Sequence, residues 1–128
     1  MKNTAKLLAM IAMAVLVSAN ALAQSKKKTN GEEVTVVGEV IDSACYIKGG
    51  MKGEAHAECA TMCATAGIPL AILEDKTGNV YFTAASKDMK DTNEMLAKYV
   101  AEKVKVTGKF YERGGVKLLA INMVEKAN

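Results

Sequence analysis

The segment Val34-Thr35-Val36-Val37-Gly38-Glu39-Val40-Ile41-Asp42 alternates β-branched with polar residues around a single glycine. Such alternation predicts a strand with one buried face, and a glycine inside a strand marks a bulge or a tight coil. The C-terminal region from Val104 to Val124 alternates in the same way and turns at Arg113-Gly114-Gly115. We therefore predict a first strand at residues 34–42 and a terminal hairpin of two long strands.

A second hairpin and a second helix are predicted in the middle of the chain. The apolar runs Leu70–Leu73 and Val80–Ala84 flank a short polar segment that contains a glycine, which is typical of a β-hairpin. Asp91 followed by Glu94 forms a capping-box pattern, and apolar residues then recur at helical spacing. This pattern predicts a helix at about residues 92–103.

The region after the first strand is predicted to be a loop followed by a helix. Residues 46–53 contain three glycines, which favours a loop. Residues 54–66 are rich in alanine, begin with an acidic residue and are followed by Gly67 and Pro69, the usual signals for the end of a helix. The first helix is thus expected between the first and second strands.

This order of elements predicts a mainly β, α+β domain: a five-stranded OB-like Greek-key barrel at residues 34–126. The Cys/His-bearing helix follows strand 1, and the second helix lies between strands 3 and 4. The phrases Val104-Lys105-Val106-Thr107-Gly108-Lys109 and Val36-Val37-Gly38-Glu39-Val40 resemble the first and fourth strands of small bacterial OB-fold domains. That resemblance implies that the glycine lets one strand serve both sides of the barrel, and it implies little about function.

The N-terminus has the pattern of a signal peptide. Lys2 and Lys6 precede an apolar run from Leu7 to Val17, and Ala21-Leu22-Ala23 provides an A-x-A cleavage site. The apolar run is short for a membrane-spanning helix, which needs about 20 residues. The cleavage point has no cysteine, so the sequence does not indicate a lipid anchor. We predict a signal peptide at residues 1–23, a disordered polar leader at 24–33, and a periplasmic or secreted protein without a stable membrane anchor.

The length and net charge of the chain exclude some classes of function. The mature chain of about 105 residues is long enough for one hydrophobic core. Without Lys2 and Lys6, 15 basic residues remain against 14 acidic ones, and the chain has no tryptophan. A nearly neutral chain with few aromatic residues has no electrostatic footprint for nucleic acid, so nucleic acid is not an expected partner.

Three cysteines and the single histidine fall close together in the sequence, as Cys45, His56, Cys59 and Cys63. If residues 54–66 form one α-helix, His56, Cys59 and Cys63 share one face within an arc of roughly 60°. Cys45 stands before the glycine-containing loop, which can fold back over that face. Thiolates and imidazole suit tetrahedral zinc, and thiolates also suit Cu(I). The sequence thus predicts a Cys3His metal site for zinc or copper(I), with Met51 and Met62 as nearby thioether donors.

Two main alternatives remain open for these residues, besides an iron–sulfur cluster, which the ligands permit but no recognised spacing supports. Cys45 can pair with Cys59 or Cys63, and such a disulfide would close a loop worth on the order of 3 kcal/mol, leaving one free thiol. The chain would then be a disulfide-stapled periplasmic interaction domain. Alternatively, His56 lowers the pKa of a cysteine and creates a nucleophilic thiolate, as in a thiol redox protein. Asp42 and Glu58 flank the site and are expected to be solvated, with the alternative that they orient His56 as hydrogen-bond acceptors.

A longer pattern surrounds the cysteines. The phrase Gly38-Glu39-Val40-Ile41-Asp42-Ser43-Ala44-Cys45-Tyr46, followed by His56, Cys59 and Cys63 and then by Gly67-Ile68-Pro69, resembles a signature of small exported bacterial proteins. The resemblance implies export and carries no assigned chemistry. We therefore interpret the chain as an exported metal-binding or delivery module and not an enzyme, with a metal ion and a periplasmic protein as its partners.

Overall fold

The computed structural model describes residues 27–87 and 89–128, which form five strands and three α-helices. The strands are β1 (Glu33–Asp42), β2 (Leu70–Glu74), β3 (Val80–Ala85), β4 (Lys103–Arg113) and β5 (Val116–Lys126). The helices are α1 (Ser43–Gly49), α2 (Ala57–Thr65) and α3 (Thr92–Leu96). Short 3-10 turns, Glu54–His56 and Ala97–Tyr99, precede α2 and follow α3.

The five strands form one mixed sheet that closes into a small barrel through a ring of hydrogen bonds. Their order around the ring is β1-β2-β3-β5-β4, and β4 returns to β1. The pair β3 and β5 is parallel, and the other four pairs are antiparallel. Both predicted hairpins are present, joining β2 to β3 and β4 to β5.

One strand closes the ring because it pairs on both of its edges. β1 pairs with β4 over residues 33–39 and with β2 over residues 38–42, so Gly38 takes part in both ladders. A Cβ atom at Gly38 would lie 2.1 Å from the carbonyl oxygen of Leu73. Only glycine fits this close approach of two backbones. The ladders of β1 run through Gly38 without a register shift, and the shift found in the sheet lies between Thr107 and Gly108 of β4.

The core fills the inside of the barrel with side chains from every strand and from α3. Tyr81 and Phe110 pack edge to face, with ring centroids 6.1 Å apart. Leu96 of α3 is fully buried in the same cluster, which anchors this short helix. The remaining buried members of the cluster are Val36, Val40, Leu70, Ile72, Val104, Val106, Leu119 and Ile121.

The segment predicted as a loop from Tyr46 to Gly53 is partly helical, which corrects the sequence interpretation. Asp42 caps α1, because its Oδ1 accepts hydrogen bonds from the amides of Ala44 (2.8 Å) and Cys45 (3.1 Å). The helix ends at Gly50, which adopts φ 68° and donates its amide to the carbonyl of Tyr46. An Asp cap and a glycine in the left-handed region were thus enough to define a seven-residue helix.

The predicted second helix, residues 92–103, is shorter than expected. Its α-helical part ends at Leu96, and the 3-10 turn ends at Tyr99. Val100 then forms a bridge with Val40, and the amide of Ala101, at φ 62°, bonds to the carbonyl of Val40 (2.9 Å). Pairing with β1 ends the helix there, so that Lys103 already begins β4.

The N-terminal predictions fall partly outside the described residues. The expected signal peptide, residues 1–23, lies wholly outside them. From the expected leader, Lys28 forms an ion pair with Glu74 (3.0 Å), and the amide of Gly31 bonds to the carbonyl of Phe110 (2.7 Å). Residues 27–33 therefore contact the barrel. Among the helices described, none has the length and apolar character needed to cross a membrane.

Candidate metal centre

The four residues singled out from the sequence come from three neighbouring elements. Cys45 lies in the first turn of α1, directly after the Asp42 cap. His56 ends the 3-10 turn that leads into α2, and its amide donates to the carbonyl of Gly53 (2.9 Å). Cys59 and Cys63 lie four residues apart on α2, so they share one face of that helix.

The barrel wall holds these elements together. α2 packs against β1, and Ala60, between the two cysteines of α2, is only 4% exposed. α1 follows β1 without a linker, because Asp42 is both the last residue of the strand and the cap of the helix. The cysteine-bearing helices therefore meet at the C-terminal end of β1.

The structure brings all four residues close together, in two overlapping groups. The sulfur atoms of Cys45, Cys59 and Cys63 lie within 4.8 Å of one another. In the second group, a carboxylate oxygen of Asp42, the sulfur of Cys45 and a ring nitrogen of His56 also lie within 4.8 Å of one another. Cys45 is common to both groups, and each group can hold a metal ion.

The placement of His56 differs in detail from the sequence prediction. That prediction assumed one α-helix from residue 54, with His56 on the same face as the cysteines. Instead, residues 54–56 form a 3-10 turn, and His56 adopts φ −106° and ψ −1°. Its imidazole accordingly joins Cys45 and Asp42 in the second group.

Asp42 is the functional candidate that sequence reasoning undervalued. It was expected to be solvated, but it is 1% exposed, whereas Glu58 is exposed as expected. The Oδ2 atom of Asp42 has no hydrogen-bond partner among the described residues, and neither has Nε2 of His56. Its position between a strand and a helix signals a cap, but not this burial.

The carboxylate of Asp42 controls the ionisation of two thiols. Burial by itself raises the pKa of Asp42, but the neighbouring Cys63 thiol and the hydrogen bonds from the Cys45 and Ala44 amides outweigh burial and hold that pKa below its ordinary value. In turn, the nearby Asp42 carboxylate raises the pKa of the Cys63 thiol to about 12. The same carboxylate, together with burial, raises the pKa of Cys45.

Those pKa shifts oppose the thiol redox alternative for two of the three cysteines. A reactive thiolate at neutral pH needs a lowered thiol pKa, whereas the pKa values of Cys45 and Cys63 are raised. A bound cation would reverse this balance, because it favours the thiolate over the thiol. These raised pKa values therefore fit a site whose thiols ionise when an ion binds.

The three cysteines, all in the described part of the chain, are free thiols, and no pair of their sulfurs lies at disulfide-bonding distance. Cys59 is exposed, and Cys45 and Cys63 are half-buried, so one side of the group faces solvent. The methionines suggested by the sequence as thioether donors are exposed as well, Met51 to 52% and Met62 to 63%. An ion can therefore reach the sulfurs from solvent.

We compared the chain with protein-family models, curated proteins and solved structures. None of the three comparisons gives a match. The functional interpretation therefore rests on the geometry and chemistry of the centre itself.

Proposed function

We propose that this chain is an exported metal-binding module that holds zinc or copper(I) with Cys45, His56, Cys59 and Cys63. The observation that carries the proposal is the convergence of three sulfurs within 4.8 Å of one another, from two helices that the barrel wall holds together. The sulfur of Cys45 comes from α1, which a cap at Asp42 fixes in place. A purely structural role, as a disulfide, would need only two of the three sulfurs.

The distances suit an ion with thiolate ligands. Two sulfurs that bind one tetrahedral zinc ion at about 2.3 Å lie ~3.8 Å apart. The sulfurs of the centre need to close by no more than about 1 Å to reach that spacing, which small side-chain rotations can supply. Three thiolates also suit trigonal copper(I), with an exposed methionine such as Met51 or Met62 as a thioether donor. Imidazole from His56 favours zinc, whereas the three thiolates suit copper(I) as well. The proposal therefore includes both metals.

Fold and targeting add to the proposal. The strand order β1-β2-β3-β5-β4, with one strand paired on both edges, supports an OB-like Greek-key barrel. The signal-peptide pattern of residues 1–23 supports export to the periplasm or the medium. An oxidising compartment turns unprotected thiols into disulfides, and a bound ion would protect them from that fate. We propose that a periplasmic protein supplies or receives the ion at the exposed side near Cys59.

The competing candidate is a disulfide-stapled interaction domain. The spacing of the three sulfurs favours it as well, because a disulfide between Cys45 and a cysteine of α2 requires only local movement. Such a bridge would leave one thiol unpaired. The two candidates therefore predict different masses and different thiol counts for the same protein.

Native mass spectrometry of the protein purified from the periplasm, beside a count of free thiols, tests the proposal. We expect a bound metal ion, and three reactive thiols after the metal is removed by a chelator. Cys59→Ser and Cys63→Ser should each lower the metal content, whereas Thr61→Ser, an exposed change between them on α2, should not. A protein without metal, lighter by two hydrogens and with one reactive thiol, would support the disulfide-stapled domain instead.

A further inference from the structure

Two buried side-chain atoms near the cysteines lack ordinary hydrogen-bond partners among residues 27–87 and 89–128: Oδ2 of Asp42 and Nε2 of His56. Leaving a buried polar atom unpaired costs free energy, so nearly all such atoms in proteins have a partner. Both atoms belong to side chains of the same group, which also contains the sulfur of Cys45. A cation bound by this group would give both side chains the partner that they lack.

We infer that the centre offers two adjoining ion positions that share Cys45, and that Asp42 is a metal ligand. The first position lies among the sulfurs of Cys45, Cys59 and Cys63. The second lies among the carboxylate of Asp42, the sulfur of Cys45 and the imidazole of His56. This inference rests on the proposed metal-binding function and adds a ligand and a stoichiometry to it.

The number of donors argues for two positions. The two groups together contain five candidate ligands, whereas a structural zinc ion binds four. Thiolate sulfur has several lone pairs and can bridge two cations. With Cys45 as the bridge, each ion receives three protein ligands, and solvent or a fourth donor can complete its coordination.

The orientation of Asp42 is fixed before any ion binds. Its Oδ1 atom is occupied by the amides of Ala44 and Cys45, at 2.8 and 3.1 Å. This pair of hydrogen bonds holds the carboxylate so that Oδ2 is left for another partner. Because the same amides belong to the first turn of α1, the cap that starts the helix also positions the ligand.

The position of His56 is fixed in a similar way. Its turn starts at Gly53, whose amide donates to the carboxylate of Glu39 on β1. The amide of His56 returns to the carbonyl of Gly53. β1 therefore supports both sides of the second position: directly through Asp42, and through Glu39 for the turn that carries His56.

The two positions differ in ligand chemistry. Three thiolates form a soft site, which copper(I) and zinc both accept. Carboxylate, imidazole and one thiolate form a harder site, which favours zinc over copper(I). We therefore expect zinc to fill both positions and copper(I) to fill the three-sulfur position first.

The test is a titration of the reduced, metal-free protein with Zn²⁺ under anaerobic conditions, followed by native mass spectrometry and by competition with a chelator. We expect the wild type to bind two ions. Asp42→Asn keeps an acceptor for the α1 cap but removes the anionic ligand. It and His56→Gln should each weaken the binding of one ion at least about 10–100-fold, the loss caused even by removal of an outer-shell partner. Glu58→Gln, which removes an exposed carboxylate next to Cys59, is the matched control and should bind as the wild type does.

If Asp42→Asn folds poorly, His56→Gln still tests the second position, because it changes only a half-buried turn residue. Titration of the wild type and of His56→Gln with Co²⁺ gives a second readout. The sulfur-to-cobalt charge-transfer absorption should be stronger per ion for the three-sulfur position than for the mixed position. A wild type that binds one Zn²⁺ ion, or two ions with affinities that Asp42→Asn and His56→Gln leave unchanged, would overturn the two-position inference while the proposed function stands. A wild type that binds no Zn²⁺ or copper(I) would instead refute the proposed function.

Discussion

The carboxylate of Asp42, at the end of β1, lies within 4.8 Å of the sulfur of Cys45 in the first turn of α1. The same side chain caps α1 through the amides of Ala44 and Cys45. One buried carboxylate therefore joins the barrel wall to α1 and lies beside His56, the residue that precedes α2. Its negative charge also sets the protonation state of the thiols that it contacts.

Replacement of Asp42 should change the titration of the thiols in the reduced, metal-free protein. The Asp42 carboxylate raises the folded pKa of Cys63 to about 12 and also raises that of Cys45. A raised pKa contributes stability below the ordinary thiol pKa of about 8.5, and that stability is lost as pH rises toward the folded value. We expect the wild type to lose stability from about pH 9 upward. In Asp42→Asn this loss should be smaller, and thiolate ultraviolet absorbance should appear at lower pH.

A matched control separates the effect of Asp42 from a general effect of charge. Glu58→Gln removes a carboxylate that is exposed and next to Cys59. Its thiolate absorbance should follow the wild-type curve. Identical curves for Asp42→Asn and the wild type would show that the carboxylate does not hold the thiol protons.

The buried ion pair of Glu74 should control stability in acid. Glu74 is 8% exposed and accepts hydrogen bonds from Lys28 (3.0 Å), Tyr81 (3.0 Å) and Thr77. Burial alone raises its pKa, but the hydrogen bonds from Thr77, Lys28 and Tyr81 lower the pKa below the ordinary value. A lowered pKa gives stability above about pH 4.3 that is lost as pH falls through the folded value.

Urea unfolding at pH 7 and pH 3 measures this effect. Glu74→Gln should lower the free energy of unfolding by about 1–3 kcal/mol at pH 7, and the difference from the wild type should shrink at pH 3. Glu125→Gln removes one partner of an exposed pair with Lys105 and should change stability by less than about 1 kcal/mol at either pH. A Glu74→Gln deficit that persists unchanged at pH 3 would point to lost packing and not to lost charge.

Glycine at position 38 should be required for closure of the barrel. In Gly38→Ala the new Cβ would lie 2.1 Å from the carbonyl oxygen of Leu73, so one of the two ladders of β1 must shift. We expect a loss of about 3 kcal/mol or more in the free energy of unfolding. Gly49→Ala is the control, because the nearest atom to its Cβ is Met51 Cγ at 3.8 Å, and it should leave stability nearly unchanged. Thermal unfolding curves of the two variants that coincide would contradict this account of Gly38.

The strands were predictable from sequence, and the short helices were less so. Alternation of apolar residues is a local signal, and it places β1 within one residue of its observed start, Glu33. α1 has seven residues, too few for a helical period to show, and the glycines after it favoured a loop. The early end of α3 depends on the contact of Val100 with Val40, which lies far away in the sequence. No local pattern reports such a contact.

The centre was predictable by residue type but not in its arrangement. Cysteine and histidine are candidate ligands by residue type, and the structure brings Cys45, His56, Cys59 and Cys63 close together. Asp42 was undervalued because the burial of a carboxylate depends on tertiary packing, and its cap position predicts only its contact with the helix. The grouping of His56 with Asp42 depends on the 3-10 turn, which a helical pattern does not distinguish from an α-helix.

Asn93 of α3 links the C-terminal end of α2 to the start of β2 through hydrogen bonds. Its Oδ1 atom accepts from the amide of Leu70 (2.8 Å), and its Nδ2 donates to the carbonyls of Ile68 (2.9 Å) and Ala64 (3.2 Å). Ala64 follows Cys63 directly, so these bonds hold the helix end that carries a candidate ligand. Loss of this amide should therefore affect both stability and metal binding.

We expect Asn93→Ala to lower the free energy of unfolding by about 1–3 kcal/mol, because the amide of Leu70 and the carbonyl of Ile68 lose this partner, while the carbonyl of Ala64 keeps the amide of Gly67 (3.0 Å). The end of α2 should also become more mobile, so zinc affinity should fall while the number of bound ions stays the same. Urea unfolding and a zinc titration of the same preparation measure the two effects. Asn122→Ala is the matched control, since Asn122 is exposed and makes only one long hydrogen bond of 3.4 Å to Glu33, and it should cost less than about 0.5 kcal/mol. If Asn93→Ala loses stability but binds zinc as tightly as the wild type, the end of α2 does not need this anchor to hold Cys63 in place.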